Sequence, residues 1–246
     1  LFFILNINLT FLSLYMKKIL IFLIVVFISS CNIDDELIIE LNEYDLEVIS
    51  YFKEIALGFE NGGVSEITRK WNSTMKIFIG GNSNSILLSE LNKIINDINE
   101  IVTDNFSAEI VSDSSISNYY IYFGKGEEYA KIFPSQSQYV NNNLGLFNIW
   151  WNNNYINRGI MYVDIFRANE QGQLHLLREE LTQSLGLGQD SEKYLNSIFQ
   201  INWTTTSSYS QIDKDIIRLL YHPNMKVGLN ENEVDVLLRS ILINEK

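Results

Sequence analysis

HLLREELTQSLGLGQD, residues 175–190, is the stretch on which the reading of the fold turns. Apolar positions recur through residues 174–185 at helical spacing, which predicts a helix there. Glu179 and Gln183 stand four apart and so share one face of it. Glu180 lies beside them, and Gly186, with Asp190 beyond it, marks a structural turn at the helix end.

Working outward, residues 75–79, 108–111, 119–123, 146–151 and 159–166 are rich in β-formers and read as strands. Periods of three to four predict helices over 45–59, 87–101, 212–221 and 232–243. Gly62-Gly63 is expected to end the first helix, and Gly80-Gly81 the first strand. Ser210 with Asp213 has capping-box spacing, and Pro223 helps to stop the helix that follows. The aromatics Tyr119, Tyr120, Tyr122 and Phe123 suit a half-buried strand better than a stacking platform for sugars or bases. In a strand, Trp150 and Trp151 must face opposite sides of the sheet.

Residues 179–189 resemble the zinc-peptidase pattern H-E-x-x-H-x-x-G-x-x-H. In that pattern two histidines one helical turn apart bind the metal, and the Glu between them activates a metal-bound water. In register, Glu180 falls on the base, Gly186 on the turning glycine, and Glu179, Gln183 and Gln189 on the three histidines. Glu179 retains a ligand's chemistry, whereas a neutral Gln amide competes poorly for zinc with imidazole or thiolate. The chain has two histidines, His175 and His222, so a three-histidine site is excluded. His175, one turn before Glu179, is the alternative ligand; a surface or capping role is the other reading. His222 sits where a helix C-terminus favours a protonated ring. Glu179 and Glu180 also read as a solvated face or as partners for Arg178 and Lys193, and Gln183 as a buried amide bonded to either Glu.

Further matches extend the likeness. Residues 179–187, then Asp190-Ser191, Ile198-Phe199, Asp213, residues 219–221 and residues 225–229, with Trp71 and the strand after it, resemble an uncharacterised family of bacterial lipoproteins. That family is known mainly as a domain of unknown function, is similar to metzincin-type zinc peptidases, and commonly carries E-E-x-x-Q. The methionine turn of a metzincin has no counterpart between Asp190 and Asp213. The resemblance implies an α+β, zincin-like (metzincin-like) fold over residues 45–246: a mixed sheet, a long packing helix, the Glu180 helix beneath and a helical C-terminal part. It implies a cleft along a sheet edge at residues 162–166, where substrate would add as a strand.

Three functions follow. The preferred one is a degenerate peptidase-like domain that binds a peptide or an envelope partner without cleaving it. The alternative is an active metallopeptidase with Glu180 as general base and an unusual or weak site of Glu179, Gln183 and His175, zinc being the possible cofactor. The third is a structural lipoprotein with Glu179 and Gln183 dispersed on the surface.

The N-terminus supplies the address. Met16-Lys17-Lys18 followed by an apolar run to Ile28 has the form of a secretory signal, which places the start of translation at Met16 and the signal peptide within residues 1–30. Ile28-Ser29-Ser30-Cys31 resembles the bacterial lipobox, so Cys31 is the expected lipidation site and residues 31–44 the tether. The apolar run falls short of the roughly 20 residues needed to span a bilayer. The expected location is the cell envelope, with lipid holding the chain on a membrane, the outer one by preference. Residues 32–36 resemble the acidic tract of surface-exported lipoproteins. Cys31 is the only cysteine, which removes internal disulfides and cysteine-based zinc sites from the 246-residue chain. A net charge of -12 argues against nucleic acid as a partner.

Overall fold

Strand β4 (Tyr119–Gly124) lies inside the sheet, and its alternation divides the side chains between two unequal cores. Successive side chains of a strand point to opposite faces. Tyr119, Ile121 and Phe123 therefore enter the main core, while Tyr120 and Tyr122 join a smaller one with Tyr129, Val140, Ile160 and Tyr162. Trp151 packs against the first and Trp150 against the second, as alternation requires.

The computed structural model describes residues 40–60 and 63–246. The signal segment, Cys31 and the tether up to residue 39 lie outside the described residues. Residues 41–246 form one compact unit, and helix α1 (Glu43–Ala56) opens it behind an Asn42 capping box, slightly ahead of the expected boundary at residue 45. This helix also ends earlier than its periodicity suggested, at Ala56, because Phe59 leaves it to form a bridge with Gly188.

The other strands are β1 (Lys70–Trp71), β2 (Met75–Gly81), β3 (Ala108–Ile110), β5 (Gly145–Asn152) and β6 (Tyr155–Asp164). From one edge to the other the order is β3-β2-β4-β6-β5, with β1 meeting the start of β6. All these pairings are parallel except β5 with β6. Gly80 and Gly81, expected to stop β2, instead lie within it.

Helix α2 (Ser85–Ile101) buries Leu87, Leu91, Ile94, Ile95 and Ile98 against the main core, each worth roughly 1.5–3 kcal/mol of apolar transfer. A short helix, α3 (Gly126–Ile132), serves the smaller core through Tyr129, whose ring stacks 4.9 Å from that of Tyr162. It has too few residues for a periodic signal and was not foreseen. Helices α4 (Glu170–Gln183), α5 (Gln211–Leu220) and α6 (Glu231–Asn244) complete the unit, α5 behind the expected Ser210 and Asp213 capping box. Among the described residues no helix is long and apolar enough to cross a membrane.

This is the α+β arrangement of a mixed sheet and packing helices expected from the sequence, with one correction. Residues 162–166 do not form the sheet edge. Strand β6 is flanked by β4 and β5, and its buried run from Gly159 to Asp164 is what a strand covered on both faces needs. On that side of the sheet the edge belongs to β5, whose only strand partner among the described residues is β6.

Candidate functional site

Two faces of α4 are fixed by what they bury. The Asn169 side chain accepts from the Gly172 N–H and starts the helix, and Leu177 and Leu181 enter the core. Arg178, fully buried, turns toward α2 and pairs with Glu90 and Asp97 at 2.8 Å each. It does not partner its neighbours in sequence, as one reading had it. With these faces committed, Glu179, Glu180 and Gln183 line a cavity of about 430 Å³ together with residues 145–148 of β5, Glu60 and Asp190. Gln136, Tyr139 and Asn143, from the segment before β5, close another side.

Glu180 reaches up to the strand, where its carboxylate accepts from the Phe147 N–H. A Cβ on Gly145 would stand 2.9 Å from its Oε1, so the bare glycine permits this approach of helix to strand. Burial first, then the charges of Asp190 and Glu60, push the Glu180 carboxyl up to about 8. Burial and the hydrogen-bonded Glu60 carboxyl push Asp190 up to about 9. Gln183 donates from Nε2 to Asp190 Oδ1 at 2.6 Å, so its partner is neither of the glutamates expected from spacing.

Behind them stands His175, 1 % exposed and not among the residues lining the cleft. Its Nδ1 lies 2.8 Å from the Thr206 carbonyl, which can only accept, so Nδ1 carries the hydrogen. Burial keeps the ring neutral by lowering its pKa, which leaves Nε2 as an acceptor 3.3 Å from Glu179 Oε2. Glu179 is raised well above the ordinary range by burial and by Glu180 and Glu60. His175 is thus neither a surface residue nor a group that faces the cleft. His222 lies outside the cleft too, and there burial lowers its pKa despite Glu245 at 3.7 Å, so the expected protonated ring is not favoured.

The chain beyond α4 departs from the expected register. Gly186 adopts φ +113°, and a Cβ there would sit 2.1 Å from the Arg69 carbonyl oxygen, so glycine is required. After this turn the Glu60 N–H donates to the Gly188 carbonyl (3.0 Å) and the Gln189 N–H to that of Ile55 (3.2 Å). These bonds hold Gln189 against the end of α1, with its amide beside Gly58, and deliver Asp190 to the cleft instead. Gln189 therefore does not take the third-ligand position. Asp190 belongs to the cleft wall and is more than a turn residue. Glu60, missed in the sequence, arrives through the same pairing.

Register also decides which main-chain groups of β5 are free. The Gly159 N–H donates to Asn118 on the β4 side, whereas the Asp164 N–H donates to Leu144 on the β5 side. Alternation along β6 then turns Ile160 and Tyr162 toward their partners Asn148 and Leu146. The main-chain groups of Gly145, Phe147 and Ile149 consequently face outward, and Glu180 takes the Phe147 N–H. A second cavity of about 190 Å³, lined by Phe59, Ile149 and Trp151, shares Glu60, Phe147 and Asn148 with the first, so the two form one groove along this edge. Stacking of Phe59 on Trp151 (5.8 Å, 13°) and the Arg69 guanidinium 4.6 Å over the Trp151 ring stiffen its apolar end.

A family profile described as "Protein of unknown function (DUF2927)" matches residues 45–240. Two solved structures of myroilysin are similar to the chain. One is 10% identical, covering 63% of this chain and 97% of that one with a TM-score of 0.42. The other is 12% identical, covering 74% and 97% with a TM-score of 0.38. No curated protein matches.

Proposed function

Because the chain belongs to this family of unknown function (DUF2927), whose domain takes up residues 45–240, we propose a role read from the cleft itself: binding an extended peptide, or a peptide segment of an envelope partner, without cleaving it. The observation that carries this reading is the coincidence of a free β5 edge with a continuous groove beneath it, because outward main-chain groups beside side-chain pockets are what strand addition uses.

The donor set does not suit zinc. Glu179 leans on His175, Gln183 is a neutral amide committed to Asp190, and among the described residues no three His, Cys, Asp or Glu side chains converge as metal ligands. A hydrolytic reading keeps one support, since a carboxyl pushed up to about 8 lies near the optimum for general acid–base work at neutral pH. One experiment separates the two. The purified protein is expected to contain less than about a tenth of a zinc per chain, and Glu180→Gln is expected to leave any cleavage of denatured casein unchanged. A blocked pentapeptide should bind, and N-methylation of its alternate amides should weaken it at least tenfold. Stoichiometric zinc with activity lost in the variant would reverse the choice.

We further propose that lipid at Cys31 holds the domain on a membrane of the bacterial cell envelope, the outer membrane being the preferred one. The lipobox-like run ending at Cys31 supports this. Cys31→Ala should abolish labelling by radioactive palmitate and move the protein to the soluble fraction. A variant that stays membrane-bound and labelled would refute the anchor.

A further inference from the structure

We propose that the peptide taken along the β5 edge is anchored by one large apolar side chain, aromatic or branched, held in the smaller cavity between Phe59, Val64, Ile149 and Trp151. This rests on the peptide-binding reading and adds the ligand's side-chain chemistry to it. The construction of the pocket and its place beside the strand support it independently.

The pocket is made of rings that distant segments hold in place. Phe59, Phe147 and Trp151 are half-buried and line it with Val64 and the buried Ile149. Phe59 seats on Gly188, where a Cβ would stand 2.0 Å from its Cδ1, so only a bare glycine admits the ring. The Arg69 guanidinium lies 4.6 Å from the Trp151 ring centre and 5.9 Å from that of Phe59. Arg69 is buried, donates to the carbonyls of Ser65 and Ile67, and has no carboxylate partner among the described residues; its Nε has no hydrogen-bond partner. A buried cation without an anion is costly, and here the aromatic faces offset part of that cost. Phe59 and Trp151 are thus held in place without a ligand, which then meets apolar surface that needs little ordering.

Register decides which ligand group reaches the pocket. The main-chain groups of Ile149 face outward, and a residue paired opposite Ile149 puts its side chain on the same face of the sheet as Ile149 does. That face carries Phe147 and Trp151 and packs against the main core. The ligand's next side chain on this face lies two residues along, opposite Phe147, where the larger cavity begins. One side chain therefore enters the smaller cavity, whose volume of about 190 Å³ suits a single large residue. Its charged lining group is Glu60, shared with the larger cavity, and a carboxylate side chain would meet like charge there. Arg69 is not among the lining residues and offers such a carboxylate no direct partner.

The test titrates the full chain calorimetrically with four blocked pentapeptides, threonine at every position but the centre, which is phenylalanine, leucine, alanine or glutamate. Phenylalanine and leucine are expected to bind about twentyfold tighter than alanine, with glutamate weakest. That advantage should hold as salt rises from 50 to 500 mM, because apolar contact is not screened, and should bring a more negative heat-capacity change. Phe59→Ala should cut the advantage to threefold or less while leaving the alanine affinity unchanged. Val64→Asp, a change at a half-buried loop position, should do the same if the first variant does not fold. Equal binding of the phenylalanine and alanine peptides, both weakened by N-methylation of alternate amides, would overturn the apolar anchor and leave the groove reading standing. Tightest binding of the glutamate peptide would overturn the anchor too. Binding of none of the four would overturn both.

Discussion

Arg178→Met is expected to lower the stability of the domain by roughly 3–5 kcal/mol, which for a unit of this size is a fall of about 10 °C in Tm. The guanidinium is fully buried, donates to Glu90 and Asp97, and lies 4.6 Å from the ring of Tyr209. Removing it leaves two carboxylates against a hydrophobic helix face without their counter-charge, and such a loss costs far more than the intact pair contributes. The same contacts set the rotation of α4, since they hold one side of the helix on α2 while Glu179, Glu180 and Gln183 face the groove. Urea denaturation checks the magnitude, and the triple variant Arg178→Met, Glu90→Gln, Asp97→Asn should recover much of the loss. A single variant within about 1 kcal/mol of the parent would show that the cluster does not hold the helix.

The second large effect is a fall in stability as pH rises. In the folded chain Glu180 is pushed up to about 8, Asp190 to about 9, and Glu179 well above the ordinary range. Unfolded, these groups release their protons near pH 4. Between those limits the folded state holds protons that the unfolded state has lost, so raising pH favours unfolding. Their stabilising contribution is complete below pH 4 and is lost as pH climbs through about 8 to 9. Each displaced pKa unit is worth about 1.4 kcal/mol. Even one unit at each of Glu180 and Asp190 therefore makes nearly 3 kcal/mol, several degrees of Tm. Calorimetry should give a clearly higher Tm at pH 5.5 than at pH 8. Glu180→Gln, which keeps the shape and removes one charge, should raise Tm at pH 8 and flatten the profile. Equal Tm at both pH values in the parent would mean that the carboxyls are solvated and unstrained.

How far the fold and site could be read in advance depended on the range of the forces involved. Local rules were sufficient for α2, whose apolar residues recur on one face, for β4, whose aromatics alternate, and for α5, whose Ser210 and Asp213 close a capping box. They were enough, too, to put Glu179, Glu180 and Gln183 together, because a helix fixes those directions by itself. A signal for the sheet edge was present but misread. Gly159 to Asp164 is buried along its whole length, as an interior strand is, whereas residues 145–152 are mostly half-buried, as an edge strand is.

What the sequence determined on its own was thus every helix and strand but α3 and β1, the α+β class and the polar trio of the α4 helix, each a matter of spacing within one segment. Only the tertiary structure decided that Arg178 turns inward, that His175 stands behind the cleft, and that Glu60 and Asp190 complete its wall. Glu60 and Asp190 are distant in the chain and share no periodicity. They meet because Phe59 pairs with Gly188 and because Gly186 lets the backbone turn beneath Arg69. Backbone hydrogen bonds between distant segments are indifferent to side-chain type, so the sequence carries no local mark of where they form.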